Sequence, residues 1–345
     1  MDTFFIVGCP RSGTTMVQQG VGRHSRIALP PETKFFFSFL GHSRRCQARH
    51  LQRLRTDLGI ALPDPGRRVC SAPEARAFYE QMARLYVERL GKDGVTCFGE
   101  KTPEHAGHLP RIRRLFPWAK VVFVYRDGRD VALSLSRVPW MPSGLYTNFF
   151  VWLYYYRLMQ RARAEGSPDL YFLRYEDVVA RPQEEFARLL AFLGLPYEPA
   201  VAQGSGNREG IPEREYAWKG RALEPITTAR VGLFRRELGP DQVGVLERLG
   251  KYALPSLGYP LHTGGTMPLT LGRVLKLACG LARLAYRLPW HCLLNELYGS
   301  PVLCPPGPRP AARPTPLPAA GADGVTEAPP RVAALTAAGL GPCLA

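Results

Sequence analysis

Gly8-Cys9-Pro10-Arg11-Ser12-Gly13-Thr14-Thr15 packs a fork-shaped cation, three hydroxyls and a fixed proline turn between and just after two glycines. A guanidinium can grip an oxyanion with two parallel N–H bonds, and the hydroxyls can donate beside it. The spacing is that of a nucleotide P-loop, two glycines with four residues between them and hydroxyl residues after. A Walker loop has Lys after the second glycine and a Ser/Thr that holds Mg²⁺. Position 14 here is Thr, so the positive charge must come from Arg11. A second guanidinium–hydroxyl pair, Arg126 and Ser134, lies eight residues apart further along the chain. Between the two pairs stands Glu32, a carboxylate suited to accept a proton. His105 and His108 stand at i, i+3 spacing, which also occurs in metal sites, but no third ligand is suggested nearby.

These groups act together only if the chain folds to bring them together. Phe4 to Val7 is an apolar run of β-formers and reads as a buried parallel strand, with a Gly/Pro turn to Gly13 and a helix from Thr14 to about Gly20 or Gly22. Strand, glycine-bounded loop and helix N-terminus make an anion site. Ile27-Ala28-Leu29 reads as a second strand leading to Glu32, whose bland role is a first-turn carboxylate after two prolines. Residues 35–92 read as mostly helical, with an Arg-rich face (Arg44, Arg45, Arg49, Arg53, Arg55) and an amphipathic helix over 75–90. Cys97 to Lys101 reads as a strand running into a turn. Val121 to Tyr125 is the most strand-like run in the chain; Arg126 to Asp130 makes its turn, and Val131 enters a helix. An aromatic helix over 147–161, a strand at 170–175 and an amphipathic helix ending at Gly194 follow. A polar, glycine-bearing loop spans 203–224, and two closing helices cover 231–238 and 243–257.

Together, the two corners resemble the cofactor loops of the sulfotransferases that use 3′-phosphoadenylyl sulfate (PAPS). Gly8 to Thr15 is similar to that family's 5′-phosphosulfate loop, and Arg126 with Ser134 to its 3′-phosphate motif. The resemblance covers roughly residues 3–260. It implies an α/β, P-loop-like three-layer fold with a central parallel sheet flanked by helices. It implies that Arg11, Ser12, Gly13, Thr14 and Thr15 hold the phosphosulfate, that Arg126 and Ser134 hold the 3′-phosphate, and that Tyr175 lies near the adenine. Pro31-Glu32-Thr33-Lys34 is similar to the segment where the tyrosylprotein and carbohydrate branches carry a catalytic Glu, and where tyrosylprotein enzymes tend to read Glu-Glu-Thr-Arg. Lys101 then approaches the bridging oxygen of the donor. The cytosolic branch uses a His base instead, which keeps His105 and His108 as rivals. Trp218-Lys219-Gly220-Arg221 stands where cytosolic relatives close a basic segment over the 3′-phosphate. The implied reaction is metal-independent sulfuryl transfer to a hydroxyl of a sugar, lipid, small metabolite or peptide tyrosine, with adenosine 3′,5′-bisphosphate as product.

Composition sets the remaining bounds. The chain has 345 residues, 46% of them apolar, and a net charge of +16. That excess suits nucleic acid, an acidic surface or an anionic substrate; no zinc-finger or RNA-binding motif is present, so no nucleic-acid partner is expected. A nucleotide kinase or NTPase would need the missing Walker lysine, and a non-catalytic anion or nucleic-acid binding protein is the other alternative. None of the eight cysteines forms a C-x-x-C pair, which suggests reduced thiols and, with no charged leader before the first strand, a cytoplasmic chain. The expected organisation is a sulfotransferase domain over 1–262, a basic amphipathic extension over 263–298 and a disordered Pro/Ala-rich tail over 299–345. In the extension, charges interrupt the apolar run of 266–298. It reads as a helix lying on an anionic membrane or docked on the domain or a second subunit.

Overall fold

Strand β1 (Asp2–Gly8) lies at the centre of a five-stranded, wholly parallel sheet of order β2-β3-β1-β4-β5, in a computed structural model. The structure describes residues 1–141, 144–203 and 210–265, with a few isolated positions between 272 and 282. The other strands are β2 (Ile27–Ala28), β3 (Cys97–Lys101), β4 (Lys120–Tyr125) and β5 (Leu170–Arg174). Because side chains alternate across a strand, each apolar run feeds two cores. Phe5, Val7, Val121 and Phe123 join one face; Phe4, Ile6, Val122 and Val124 join the other. All eight are essentially solvent-free, each stabilising the sheet by about 1.5–3 kcal/mol in transfer terms.

The helices that frame the site are α1 (Thr14–Val21), α2 (Arg44–Leu58), α3 (Ala72–Leu90), α4 (Leu109–Leu115), α5 (Gly128–Leu135), α6 (Leu145–Ala164), α7 (Tyr175–Ala180) and α8 (Pro182–Leu193). Strand order fixes where ligand can sit. The chain leaves β1 toward β2 and β3 on one side, then crosses to β4 on the other. In such open sheets the crevice outside the strands' carboxyl ends, at this reversal, is the binding position. All five strands deliver a chemically active residue there. Arg11 to Thr15 follow β1, Glu32 follows β2, Lys101 ends β3, Arg126 follows β4 and Tyr175 follows β5.

Three local expectations change. The helix after β4 begins at Gly128 rather than Val131, because Asp127 caps it by accepting the Arg129 N–H at 2.9 Å. The polar segment before 224 is not a plain loop: it contains α9 (Tyr216–Lys219) between short 3₁₀ turns. The two long closing helices are replaced by α10 (Phe234–Glu237), α11 (Pro240–Leu249) and α12 (Ala253–Ser256), with Gly239 and Gly250 supplying the breaks. The extension at 263–298, apart from its first residues and a few isolated positions, and the tail at 299–345 lie outside the described residues. Among those described, no helix is long and apolar enough to cross a membrane.

Candidate active site

The first corner depends on backbone shapes that few residues adopt. Gly8 has φ +146°, and a Cβ there would lie 2.2 Å from the Val124 carbonyl oxygen. Gly13 has φ +95°, and a Cβ there would lie 2.4 Å from the Tyr175 ring. Arg11 itself is left-handed at φ 72°, rare for a residue with a side chain and typical of sites that hold strain. Its Nε donates to Ser134 Oγ at 3.2 Å and its Nη1 to the Trp218 carbonyl at 2.9 Å. Arg11 thus ties the first corner both to the second and to the segment above. The first-turn N–H groups of α1 have no intrahelical acceptor, and its dipole favours an anion. Ser12 is fully buried under the loop and does not line the cavity, unlike Gly13, Thr14 and Thr15.

The second corner is pinned from several sides. Trp152 of α6 donates its Nε1–H to the Arg126 carbonyl at 3.0 Å. The buried Arg129 guanidinium pairs with Asp127 at 2.7 Å and Glu247 at 2.5 Å, so the closing segment braces the turn. Arg126 lies 4.3 Å from the Tyr175 ring centroid, pairs with Asp130 at 3.3 Å and donates to the Arg230 carbonyl. Its Nε is buried with no partner among the described residues. An unpaired buried donor costs about 1–3 kcal/mol, which an oxyanion in the cavity would relieve. Asp130 also accepts the N–H groups of Gly232 and Phe234, at 2.8 and 2.9 Å.

A cavity of about 530 Å³ joins the corners, with Arg11, Arg126, Ser134 and Tyr175 in its wall and the 216–233 segment as its roof. Arg221, Arg230 and Lys219 line it from the roof, against Asp130 and Glu224. Burial and the neighbouring Arg126 and Arg221 push the Arg11 pKa down, as expected where cations crowd together. Both the volume and the charge fit a nucleotide carrying phosphates at two ends.

Glu32 and Lys101 sit one layer beneath. Lys101 Nζ, fully buried, donates to Glu32 Oε1 and, at 3.3 Å, to Thr15 Oγ1. Lys219 Nζ donates to the same Glu32 oxygen at 2.7 Å and pairs with Glu215 at 2.5 Å. Burial alone would raise the Glu32 pKa, but the ammonium groups of Lys101, Lys219 and Lys34 outweigh it and hold the carboxyl well below the usual range. Burial pulls Lys101 down to about 8 against the opposing pull of Glu32. The histidines are occupied otherwise. His105 Nε2 accepts the Phe36 N–H at 3.2 Å, its Nδ1 lies 3.5 Å from Glu100, and burial pushes its pKa well down. Burial likewise takes His108 down to about 3. Neither lines the cavity, and no metal-holding cluster occurs among the described residues.

Two groups of residues escaped the sequence reading. Arg129, Asp130 and Glu247 brace the second corner, and only the density of charge in Arg126-Asp127-Gly128-Arg129-Asp130 hinted at it. Lys219 is the other: it lines the cavity and also bonds Glu32, a partner that nothing in Trp218-Lys219-Gly220-Arg221 signals.

A sequence profile described as the sulfotransferase family matches residues 3–199. A putative protein-tyrosine sulfotransferase of Caenorhabditis briggsae is 27% identical over 200 residues, covering 56% of this chain and 65% of that protein. The nodulation protein NoeE of Sinorhizobium fredii is 25% identical over 286 residues, covering 74% of this chain and 65% of that protein. The solved sulfotransferase domain from the curacin biosynthetic pathway shares the fold at TM-score 0.54 and 20% identity, covering 75% of this chain and 98% of that one. The chain spans less than two thirds of the length of these curated relatives, and 31% of an uncharacterized Aquifex aeolicus protein that it also matches.

Proposed function

The chain belongs to the sulfotransferase family, and we propose that it moves the sulfuryl group of PAPS to an acceptor hydroxyl. The observation that carries this reading is the pairing of two oxyanion corners across one cavity, with the Glu32–Lys101 pair adjoining the first. Arg11 and the N-terminus of α1, with Thr14 and Thr15, suit the phosphosulfate end. Arg126, with its free Nε, and Ser134 suit the 3′-phosphate. Tyr175, between the corners and under Arg126, offers a ring face to the nucleoside.

In the proposed reaction the acceptor oxygen forms a bond to sulfur while the bond from sulfur to the bridging oxygen breaks. Glu32 takes the acceptor proton, and the electron pair stays on the bridging oxygen, where Lys101 and Arg11 offset its charge. The leaving group is adenosine 3′,5′-bisphosphate. The donor is itself activated, so the proposal requires no metal. The acceptor is placed only in the hydroxyl class, from sugar or lipid to small metabolite or peptide tyrosine. A cytoplasmic setting belongs to the same proposal, supported by unpaired cysteines such as Cys9 and Cys97.

The test uses the purified protein. Adenosine 3′,5′-bisphosphate should raise its melting temperature, and ATP with Mg²⁺, which lacks the 3′-phosphate, should raise it far less. Incubation of a host extract with ³⁵S-labelled PAPS should then label a hydroxyl-bearing product. Equal stabilisation by both nucleotides, with no label transferred, would overturn the reading.

A further inference from the structure

Lys219 occupies a place that neither corner requires. It lines the cavity from the roof, and its Nζ reaches down to Glu32 Oε1 at 2.7 Å. Among the described residues it is the lysine that both faces the cavity and holds the candidate base. The neighbouring Trp218 carbonyl receives the Arg11 Nη1–H at 2.9 Å, which seats this turn over the first corner. The second corner has other roof partners, Arg230 on Arg126 and the 232–234 backbone on Asp130. Below, Glu32 also binds Lys101, which reaches Thr15 of the first corner. Thr15, Lys101, Glu32, Lys219 and Glu215 therefore form one continuous polar chain from the phosphosulfate loop to the roof.

One carboxylate oxygen receiving two ammonium groups is a poor proton acceptor, so the resting arrangement cannot be the reacting one. Moving one cation from Glu32 to an incoming anion restores basicity and adds a charged hydrogen bond to the ligand. Lys101 is locked in the interior, with no exposed surface, whereas Lys219 sits on a short helix at the cavity wall. The cation placed to move is Lys219.

Resting on the proposed use of PAPS, we propose that Lys219 reads the sulfonate of the donor and, in doing so, releases Glu32 to act as base. Lys219 then distinguishes donor from product, because the bisphosphate carries both phosphates but no sulfonate. After transfer, the sulfonate leaves with the acceptor, Lys219 returns to Glu32, and the product loses one of its holds.

Calorimetric titration of PAPS and of adenosine 3′,5′-bisphosphate, without acceptor, into wild type, Lys219→Met and Lys219→Gln tests this. Both substitutions should weaken PAPS about tenfold or more and change bisphosphate affinity less than about twofold, the loss of one charged hydrogen bond from one ligand only. Gln keeps a donor for Glu32, so it covers the case in which Met destabilises the roof. Equal losses for both ligands would assign Lys219 to the 3′-phosphate and overturn the proposal. Unchanged affinities for both would reduce it to a structural latch and also overturn it. Failure of the wild type to bind either ligand would instead refute PAPS use itself.

Discussion

Replacing Glu32 by Gln is the sharpest test of how this site works, because the same substitution has a stability effect and a catalytic effect that can be separated. Gln keeps the shape but removes the negative charge shared by Lys101 and Lys219. Breaking a buried ion pair costs about 3–5 kcal/mol. The low end applies here, since Lys101, already down to about 8, can shed its proton, and Lys219 keeps Glu215. A loss of about 3 kcal/mol should lower the melting temperature by roughly 6–12 °C in a domain of this size. Saturating PAPS, at about 100 times its dissociation constant, should restore about 2.7 kcal/mol, enough to assay a folded enzyme. Under those conditions turnover should fall by about 10²–10⁴, the usual worth of general-base catalysis. Donor affinity should hold or rise, because both lysines lose a competing anion. The control is His105→Gln, which keeps an acceptor for the Phe36 N–H and should leave turnover within a few-fold of wild type. Near-normal turnover in Glu32→Gln, alongside a folded but inactive His105→Gln, would transfer the base to His105 and refute the reasoning.

Arg126→Ala should weaken adenosine 3′,5′-bisphosphate by about 1.5–3 kcal/mol, read by titration calorimetry. The roof should stay in place, because Asp130 still accepts the Gly232 and Phe234 N–H groups; an unchanged dissociation constant would move the 3′-phosphate site elsewhere. Glu100, buried among the hydroxyls of Thr33, Thr102 and Tyr79, has its pKa pushed up by burial from 4.5 to about 7. A carboxyl with a raised folded pKa binds its proton more tightly when native. Its contribution is therefore favourable at low pH and is lost as pH rises from about 4.5 to about 7. Comparing chemical denaturation of wild type and Glu100→Gln, the stability difference should shift by about 3 kcal/mol against the wild type across that window. A pH-independent difference would show that Glu100 titrates normally.

Much of the frame was legible because it rests on local chemistry. Phe4–Val7 and Val121–Tyr125 are apolar on both faces, and only a strand buried between two helical layers uses such runs. The glycine pair at 8 and 13 and the two arginine corners followed from turn and anion chemistry, and the sheet brings both corners to one rim. What could not be read was which charges meet. Lys219 lies far along the chain from Glu32, and nothing local to Trp218-Lys219-Gly220-Arg221 separates a grip on the 3′-phosphate from one on a carboxylate. The helix boundaries at 231–257 failed for a similar reason. Asp130 accepts the Gly232 and Phe234 N–H groups, a tertiary contact that delays the first of these helices to Phe234, while Gly239 and Gly250 supply the later breaks.

The electrostatics of the buried chain also decide between readings that geometry alone leaves level. Glu32 and Glu100 are both buried carboxyls, yet their pKa values move in opposite directions. Among the described residues the hydrogen-bond donors to Glu100 are the hydroxyls of Thr33, Thr102 and Tyr79, with the His105 ring at 3.5 Å; they do not offset burial and the nearby Glu32 charge, so Glu100 tends toward the neutral acid and serves to tie the Thr33 turn to β3. Glu32 has two ammonium partners, so it stays ionised, and it alone is linked to groups that face the cavity. A base must be charged before the acceptor arrives and must regain proton affinity as the reaction begins. Glu32 meets the first condition at rest and can meet the second only by losing a cation. That requirement makes a movable lysine above an immovable one a functional arrangement rather than a surplus of charge.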